Sequence, residues 1–157
     1  MKSEGTPFKR REPGALPGQP TIFKNMNSKQ KGNIANSAVI AYLNKLEYNV
    51  FHELGDLSKI DLIAEKNNKL IKIQVKYVPL KEEVINLPLR KTGPNGYRYI
   101  YSYEDVDYFA IYCPDINKIL FVKSSLACEK KASFAIRVSK PKNNNKEYRF
   151  IDDFLKL

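Results

Sequence analysis

The stretch that decides the fold is IDLIAEKNNKLIKIQVK, residues 60–76. Two runs of branched apolar residues flank the polar segment 66–69, and this pattern predicts a β-hairpin with 66–69 as its loop. A loop of that length pairs Glu65 with Leu70 and sets the register of the remaining residues. The hairpin is therefore a prediction of pairing as well as of secondary structure.

Three polar side chains are predicted to meet at the open end of this hairpin. The same register pairs Asp61 with Gln74, and Lys76 lies two residues further along on the same face of the sheet. The side-chain bases of a directly paired couple lie roughly 5 Å apart. A carboxylate, an amide oxygen and an ammonium at one spot are poorly suited to core packing, so the hairpin end is the first candidate for a functional site.

These residue types suit metal-assisted hydrolysis of a phosphodiester. Hard divalent cations such as Mg²⁺ take oxygen ligands, and Asp61, Gln74 and the backbone carbonyl of Val75 can supply them. Lys76 has no acceptor, so it would orient a water or neutralise a developing anion. Because Asp, Gln and Lys recur at such separations by chance, the residues alone favour a surface Asp–Lys pair.

The composition of the chain favours some classes of partner and argues against some classes of active site. The chain has 157 residues, enough for one domain with a core, and a formal net charge of +10. That charge favours a nucleic-acid partner, with a general bias towards Lys, Asn and Ile as the alternative explanation. Cys113 and Cys128 form no framework, which fits a reducing intracellular compartment such as the bacterial cytoplasm or a plastid. His52 is the only histidine, which argues against a His-based triad or a multi-His zinc site.

Residues 1–25 differ from the rest and contain four of the nine prolines, three of the seven glycines and the basic run Lys9-Arg10-Arg11. This composition predicts a disordered leader ahead of a domain over residues 26–157. An extension without fixed structure is the favoured interpretation. A basic arm on nucleic acid or an organelle transit segment are the alternatives.

The rest of the chain predicts a helix from residue 27 or 28 to about Leu46, followed by strands and a closing helix. Pro79 should end the second strand of the first hairpin, because proline cannot donate to the ladder. The remaining predicted elements are a strand over 48–53, a turn over 54–58, a second hairpin over 106–122, a strand over 133–138 and a helix over 150–157. This order argues for an α/β or α+β domain around one mixed sheet.

Residues 80–103 are predicted to be irregular, and their middle mixes basic residues, turn formers and aromatics. That mixture suits a loop touching DNA phosphates, with tyrosines packed on sugars or bases. A solvated loop whose tyrosines cover the edge of the core explains it equally well. The predicted DNA-binding residues are Arg90, Lys91, Tyr97, Arg98 and Tyr99.

Five short strings follow one another along most of residues 29–125: Lys31-Gly32, Glu53-Leu54-Gly55-Asp56, Ile60-Asp61-Leu62-Ile63, Ile73-Gln74-Val75-Lys76-Tyr77 and 106–112. Their order and local sequence resemble the PD-(D/E)XK nuclease superfamily, which has the restriction-endonuclease-like fold. Within the superfamily the chain looks most like bacterial group I intron-encoded homing endonucleases that carry Q-x-K in place of E-x-K.

The resemblance implies an α/β fold with a central mixed β-sheet flanked by helices. It implies Asp61 as the central metal ligand, Gln74 in the second ligand position and Lys76 assisting the water, with Mg²⁺ as the cofactor. It also implies double-stranded DNA as the substrate. A homo-oligomer, dimer or tetramer, is expected because one site cuts one strand.

The chain departs from the family pattern at two positions. Ile60 replaces a proline that varies across the superfamily, which matters little. Asn36, the fourth predicted catalytic residue, stands where the family's first helix usually carries Glu. Its neutral amide can still hold a water or ligate through its oxygen, but it replaces an anion. Two explanations compete: a weak or inactive nuclease that retains DNA binding, or compensation by Glu53 or Asp56. A basic RNA-binding helper of intron splicing is a third reading of the function.

Overall fold

The computed structural model describes residues 26–53, 58–92, 96, 98–129, 132–140 and 148–157, without the side chains of 91 and 92. The predicted leader over 1–25 lies outside the described residues. So does the predicted turn, apart from Ser58. The strands, helices and packing below concern the described residues only.

The first helix, α1, spans Ser28–Lys45, as the sequence predicts. Its start is a capping box, since Asn27 Oδ1 accepts from Gln30 N at 2.9 Å and Gln30 Oε1 accepts from Asn27 N at 2.9 Å. Four-residue spacing places one apolar stripe against the sheet, and its fully buried members are Ala35, Val39 and Leu43.

The five-stranded central sheet has the order β1-β2-β3-β8-β9. Its strands are β1 (Asn49–His52), β2 (Leu62–Lys66), β3 (Lys69–Tyr77), β8 (Tyr108–Cys113) and β9 (Lys118–Lys123). Only β3 and β8 pair in parallel, and the other neighbours are antiparallel. The sheet is therefore mixed, as expected for the restriction-endonuclease-like fold.

The hairpin β2–β3 confirms the predicted register, because Glu65 pairs with Leu70. Its loop is shorter than predicted, since Lys66 and Lys69 also pair and only two residues turn the chain. These are Asn67 and Asn68, with φ of +53° and +60°. Asparagine tolerates this left-handed conformation, and a two-residue turn of this kind matches the twist of the strands.

The prediction of an irregular segment over 80–103 is wrong. It contains the four short strands β4 (Leu80–Lys81), β5 (Val84–Pro88), β6 (Arg90–Thr92) and β7 (Arg98–Ile100). The turn between β4 and β5 is made by Glu82 and Glu83 with φ of +49° and +63°, and glutamates give little signal for such a turn. With β10 (Ser133–Arg137), these strands form a three-stranded sheet, β10-β5-β4, and the two-stranded ribbon β6–β7.

Of the elements predicted after residue 105, the hairpin and the strand are confirmed and the closing helix is shorter than predicted. The second hairpin is confirmed as β8–β9, and β10 lies within the strand predicted over 133–138. The helix α2 (Ser124–Ala127) was not predicted, and the predicted closing helix is a single 3₁₀ turn at Ile151–Phe154. Among the described helices, none has the length and apolar character needed to cross a membrane.

Apolar residues pack on both faces of the central sheet. One face packs against α1 through side chains such as Ile73, Val75 and Ala110. The opposite face packs against the smaller sheets through Phe109, Ile111 and their neighbours. Within the described chain the buried polar residues are Gln74 and Ser124, and Gln74 belongs to the predicted site.

Candidate active site

The hairpin β2–β3 brings Asp61 and Gln74 into direct contact, as its register predicts. Asp61 comes immediately before β2, and its backbone N–H donates to the carbonyl of Ile73 at 2.9 Å. The Asp61 carboxylate accepts at Oδ2 from the side-chain Nε2 of Gln74 and from the backbone N–H of Val75, the latter at 2.7 Å. Two donors from β3 therefore orient the carboxylate.

Lys76 joins this pair through Tyr101, a residue that the sequence did not single out. Lys76 Nζ donates to the Tyr101 hydroxyl at 3.2 Å and lies 4.8 Å from the centroid of its ring. The hydroxyl in turn donates to Gln74 Oε1 at 2.8 Å. Tyr101 follows β7 in the segment that was interpreted either as a DNA-binding loop or as a solvated loop covering the edge of the core, and neither interpretation gave Tyr101 a role in the site.

The phenol of Tyr101 is deeply buried, with 2% of its surface exposed. Burial raises the pKa of Tyr101 well above its ordinary range, and the neighbouring Tyr99 and the charge of Asp61 act in the same direction. An uncharged hydroxyl is the form that can donate to Gln74. Tyr101 is therefore a neutral donor at the centre of the site.

Asn36 enters the site from α1. It is half-buried, and its Oδ1 is fully buried without a hydrogen-bond partner among the described residues. Leaving such an acceptor unpaired costs about 1–3 kcal/mol, which a bound cation or water would recover. Asn36, Asp61, Gln74 and Lys76 all line one cleft of about 860 Å³. The four predicted catalytic residues thus share one solvent-accessible space.

Glu53 lines the same cleft and is the second carboxylate near Asp61. The backbone N–H of Glu53 donates to the Asp61 carbonyl at 3.5 Å, and its Oε1 accepts from Ser58 N at 3.2 Å. Of the two residues proposed to compensate for Asn36, Glu53 lines the cleft, and its compensation stays a prediction. Asp56 lies outside the described residues.

The oxygen atoms of the side chains that line this cleft are of the kind that a hard divalent cation takes as ligands. The described part of the chain contains no cluster of three His, Cys, Asp or Glu side chains able to hold a metal. The candidate oxygen ligands at the cleft are the carboxylates of Asp61 and Glu53, and Asn36 also lines the cleft, with an amide oxygen that is buried and has no hydrogen-bond partner among the described residues. Ligation by Gln74 and by the Val75 carbonyl stays a prediction. In this structure Gln74 Oε1 faces Tyr101, and the Val75 carbonyl accepts from Gln74 Nε2 at 3.3 Å.

The predicted DNA-binding residues lie on the ribbon β6–β7, where Arg90 pairs with Ile100 and Thr92 pairs with Arg98. Both arginines are exposed. The side chain of Lys91 and all of Tyr97 lie outside the described residues. DNA contact by this group stays a prediction.

Tyr99 has a structural role in addition to any contact with DNA. Its ring is half-buried, packs against Tyr101 at 5.5 Å between centroids, and carries Lys59 Nζ 5.0 Å above it. Lys59 also forms a 2.7 Å salt bridge with Asp105. Tyr99 therefore joins the ribbon to the residues around the site.

Comparison with known proteins places the chain in a family. A sequence model described as PD-(D/E)XK endonuclease matches residues 26–157. The chain belongs to the PD-(D/E)XK endonuclease family. The resemblance and the restriction-endonuclease-like α/β fold are thereby confirmed, and a nuclease is the general class of activity.

Two solved structures are similar in fold. The bacterial homing endonuclease I-Ssp6803I has a TM-score of 0.64 and 22% identity, over 79% of this chain and 86% of that one. Hjc, a Holliday junction resolvase from Archaeoglobus fulgidus, has a TM-score of 0.45 and 17% identity, over 68% of this chain and 84% of that one. A comparison with curated protein sequences gives no match.

Proposed function

We propose that this protein is a divalent-metal-dependent DNA endonuclease of the intron-encoded homing type. The observation that carries the proposal is the contact between Asp61 and Gln74, with Lys76 and Asn36 lining the same cleft. Membership of an endonuclease family supports phosphodiester hydrolysis. The similarity in fold to a homing endonuclease supports the choice of that type.

Asp61 would hold the cation, assisted by Glu53 and the amide oxygen of Asn36. A bound Mg²⁺ would activate a water and stabilise negative charge on the phosphate. The backbone N–H of Val75 and the amide of Gln74 orient the Asp61 carboxylate before any substrate arrives. The ammonium of Lys76 supplies a positive charge for the developing anion.

The substrate proposal depends on charge and on exposed arginines. A net charge of +10 favours a polyanion, and contacts with phosphates give affinity without sequence information. Arg90 and Arg98 are exposed on the ribbon that leads to Tyr101 and the site. Because one site cuts one strand, cutting a duplex requires a homo-oligomer, which we propose to be a dimer or tetramer.

Cleavage of DNA by purified protein tests this proposal. We expect supercoiled DNA carrying the target site to be nicked or linearised with Mg²⁺ or Mn²⁺. Asp61→Ala and Lys76→Ala should each lower the rate by about 10²–10³-fold or more, because each removes a charge used in the transition state. Gel electrophoresis over time gives the rates.

Matched controls are available on the surface. Lys69→Ala removes an exposed lysine from the same strand, and Asp152→Ala removes an exposed aspartate far from the cleft in sequence. Neither should alter the rate. Wild-type protein that binds DNA but cleaves with neither metal would overturn the enzyme proposal.

A second candidate function is a DNA-binding protein on the same fold with weak or no cleavage. The observation that favours it is Asn36, whose neutral amide lowers the negative charge available to a cation. Retention of site-specific binding without metal-stimulated cleavage would support this candidate over the first.

A further inference from the structure

Four side chains in the site form a hydrogen-bonded series with a defined direction. Lys76 Nζ donates to the Tyr101 hydroxyl at 3.2 Å, and that hydroxyl donates to Gln74 Oε1 at 2.8 Å. Gln74 Nε2 then donates to Asp61 Oδ2. The series links the ammonium to the carboxylate through one phenol and one amide.

The chemistry of the donors fixes that direction. An ammonium can only donate, so the Tyr101 oxygen must accept from Lys76. In this structure the one hydrogen of the phenol is directed at the carbonyl oxygen of Gln74, 2.8 Å away, and the side chain of Tyr99 is a further hydrogen-bonding neighbour of Tyr101. Since a primary amide has oxygen on one side and nitrogen on the other, its NH₂ group faces Asp61.

We propose that Tyr101 is a positioning residue that fixes the orientation of the Gln74 amide, so that Gln74 acts on Asp61 as a hydrogen-bond donor. Only the consequence for cleavage rests on the proposed function. The orientation itself is a property of the folded chain. Gln74 therefore organises the carboxylate through Nε2, and Lys76 is held beside it by the same hydroxyl.

This arrangement accounts for an amide at position 74. A glutamate there would present a second anion to Asp61 where Gln74 presents N–H. Gln74 is only 5% exposed, so its amide has to find hydrogen-bond partners inside the protein. It does so at both ends, with Tyr101 at the oxygen and Asp61 at the nitrogen. Its Nε2 also lies 3.3 Å from the carbonyl of Val75, a second acceptor.

The ring of Tyr101 is held firmly enough to place its hydroxyl. It packs edge-on against Phe109, with 5.3 Å between centroids and 88° between planes. It packs against Tyr99 in a similar way, and its backbone N–H donates to the Leu89 carbonyl at 3.0 Å. Removing the hydroxyl alone should therefore leave the ring in place.

Side-chain amide NMR of ¹⁵N-labelled full-length protein, without metal or DNA, tests the orientation directly. The Gln74 NH₂ signals are assigned by their loss in Gln74→Met. Tyr101→Phe should shift or double these signals, because the oxygen loses its donor and the amide can rotate. Tyr103→Phe is the matched control, since Tyr103 is 64% exposed, and the signals of Gln30 in the α1 cap serve as a reference. Unchanged Gln74 signals in Tyr101→Phe would overturn the proposal.

Cleavage kinetics test the consequence. Tyr101→Phe should lower kcat about tenfold, as expected for loss of one buried hydrogen bond, with KM for DNA within twofold. Tyr103→Phe should leave both unchanged. An unchanged kcat in Tyr101→Phe would overturn the positioning role. If the wild-type protein does not cleave DNA, the proposed function fails and the NMR result alone decides the orientation.

Discussion

The two hairpins of the central sheet, β2–β3 and β8–β9, are both antiparallel strand pairs. They differ in polarity along one row of neighbouring positions that crosses the sheet. They meet where β3 and β8 pair in parallel, with Gln74 opposite Phe109. Phe109 in turn pairs with Val122 on β9, as Gln74 faces Asp61 on the other side. The row is polar in the first hairpin and apolar in the second.

The second hairpin fills its part of the row with apolar side chains alone. Phe109 and Val122 are fully buried and pack with the core. Burying an amide at the neighbouring position is costly unless both of its ends are bonded. Tyr101 spans the boundary, with its ring edge-on to Phe109 and its hydroxyl on Gln74. The apolar half of the row belongs to the core, and the polar half belongs to the candidate active site.

Phe109→Ala should produce the largest loss of stability in this row. Truncating a fully buried phenylalanine typically lowers the free energy of unfolding by about 3–5 kcal/mol, and Phe109 is fully buried. Urea denaturation followed by circular dichroism measures the change. Leu70→Ala in the first hairpin is the control, because Leu70 is 66% exposed and its loss should be nearly neutral. A loss below about 1 kcal/mol in Phe109→Ala would break the comparison.

The double variant Gln74→Leu with Tyr101→Phe should replace the Tyr101–Gln74 hydrogen bond by apolar contact, at a smaller cost in stability than Phe109→Ala. Both partners of that hydrogen bond are removed together, but Asp61 loses the Gln74 donor and Lys76 loses the Tyr101 acceptor. We therefore expect the free energy of unfolding to fall by about 1–3 kcal/mol. DNA cleavage should be lost. If the double variant is destabilised as much as Phe109→Ala, the polar half is structural and the contrast between the hairpins fails.

The sequence was sufficient for the parts of the fold that local signals specify. The start of α1 was predicted from its capping residue, and both hairpins were predicted from their apolar runs. Pro79 predicted the end of β3. It was not sufficient for residues 80–103, where the turn at Glu82 and Glu83 requires positive φ from residues that rarely adopt it. The short strands around this turn are stabilised by tertiary packing, which no local window contains.

The site was predictable to the extent that strand register determines it. The contact of Asp61 with Gln74 follows from the pairing of Glu65 with Leu70. Glu65 lies four residues after Asp61, and Leu70 lies four residues before Gln74. Tyr101 could not be found in this way, because it lies 27 residues from Gln74 and reaches it only through tertiary packing. The place of Lys76 in the site was predicted, but its hydrogen bond to Tyr101 was not.

Asn36→Glu should have the smallest of these effects. It adds from α1 the negative charge that the family usually has at this position and that the polar hairpin here lacks. The added carboxylate lies in the cleft with Asp61 and Glu53, so it repels both without metal and attracts a divalent cation. We expect the concentration of Mg²⁺ that gives half-maximal cleavage to fall about tenfold, since ligand charge sets the affinity of such sites. The melting temperature should also rise more with added Mg²⁺ than that of the wild-type protein. Ser37→Glu adds the same charge at the adjacent exposed position of α1 and controls for net charge. Equal Mg²⁺ dependence in the two variants would show that Asn36 is not part of the cation site, and that Asp61 and Glu53 supply its charge without help from the helix.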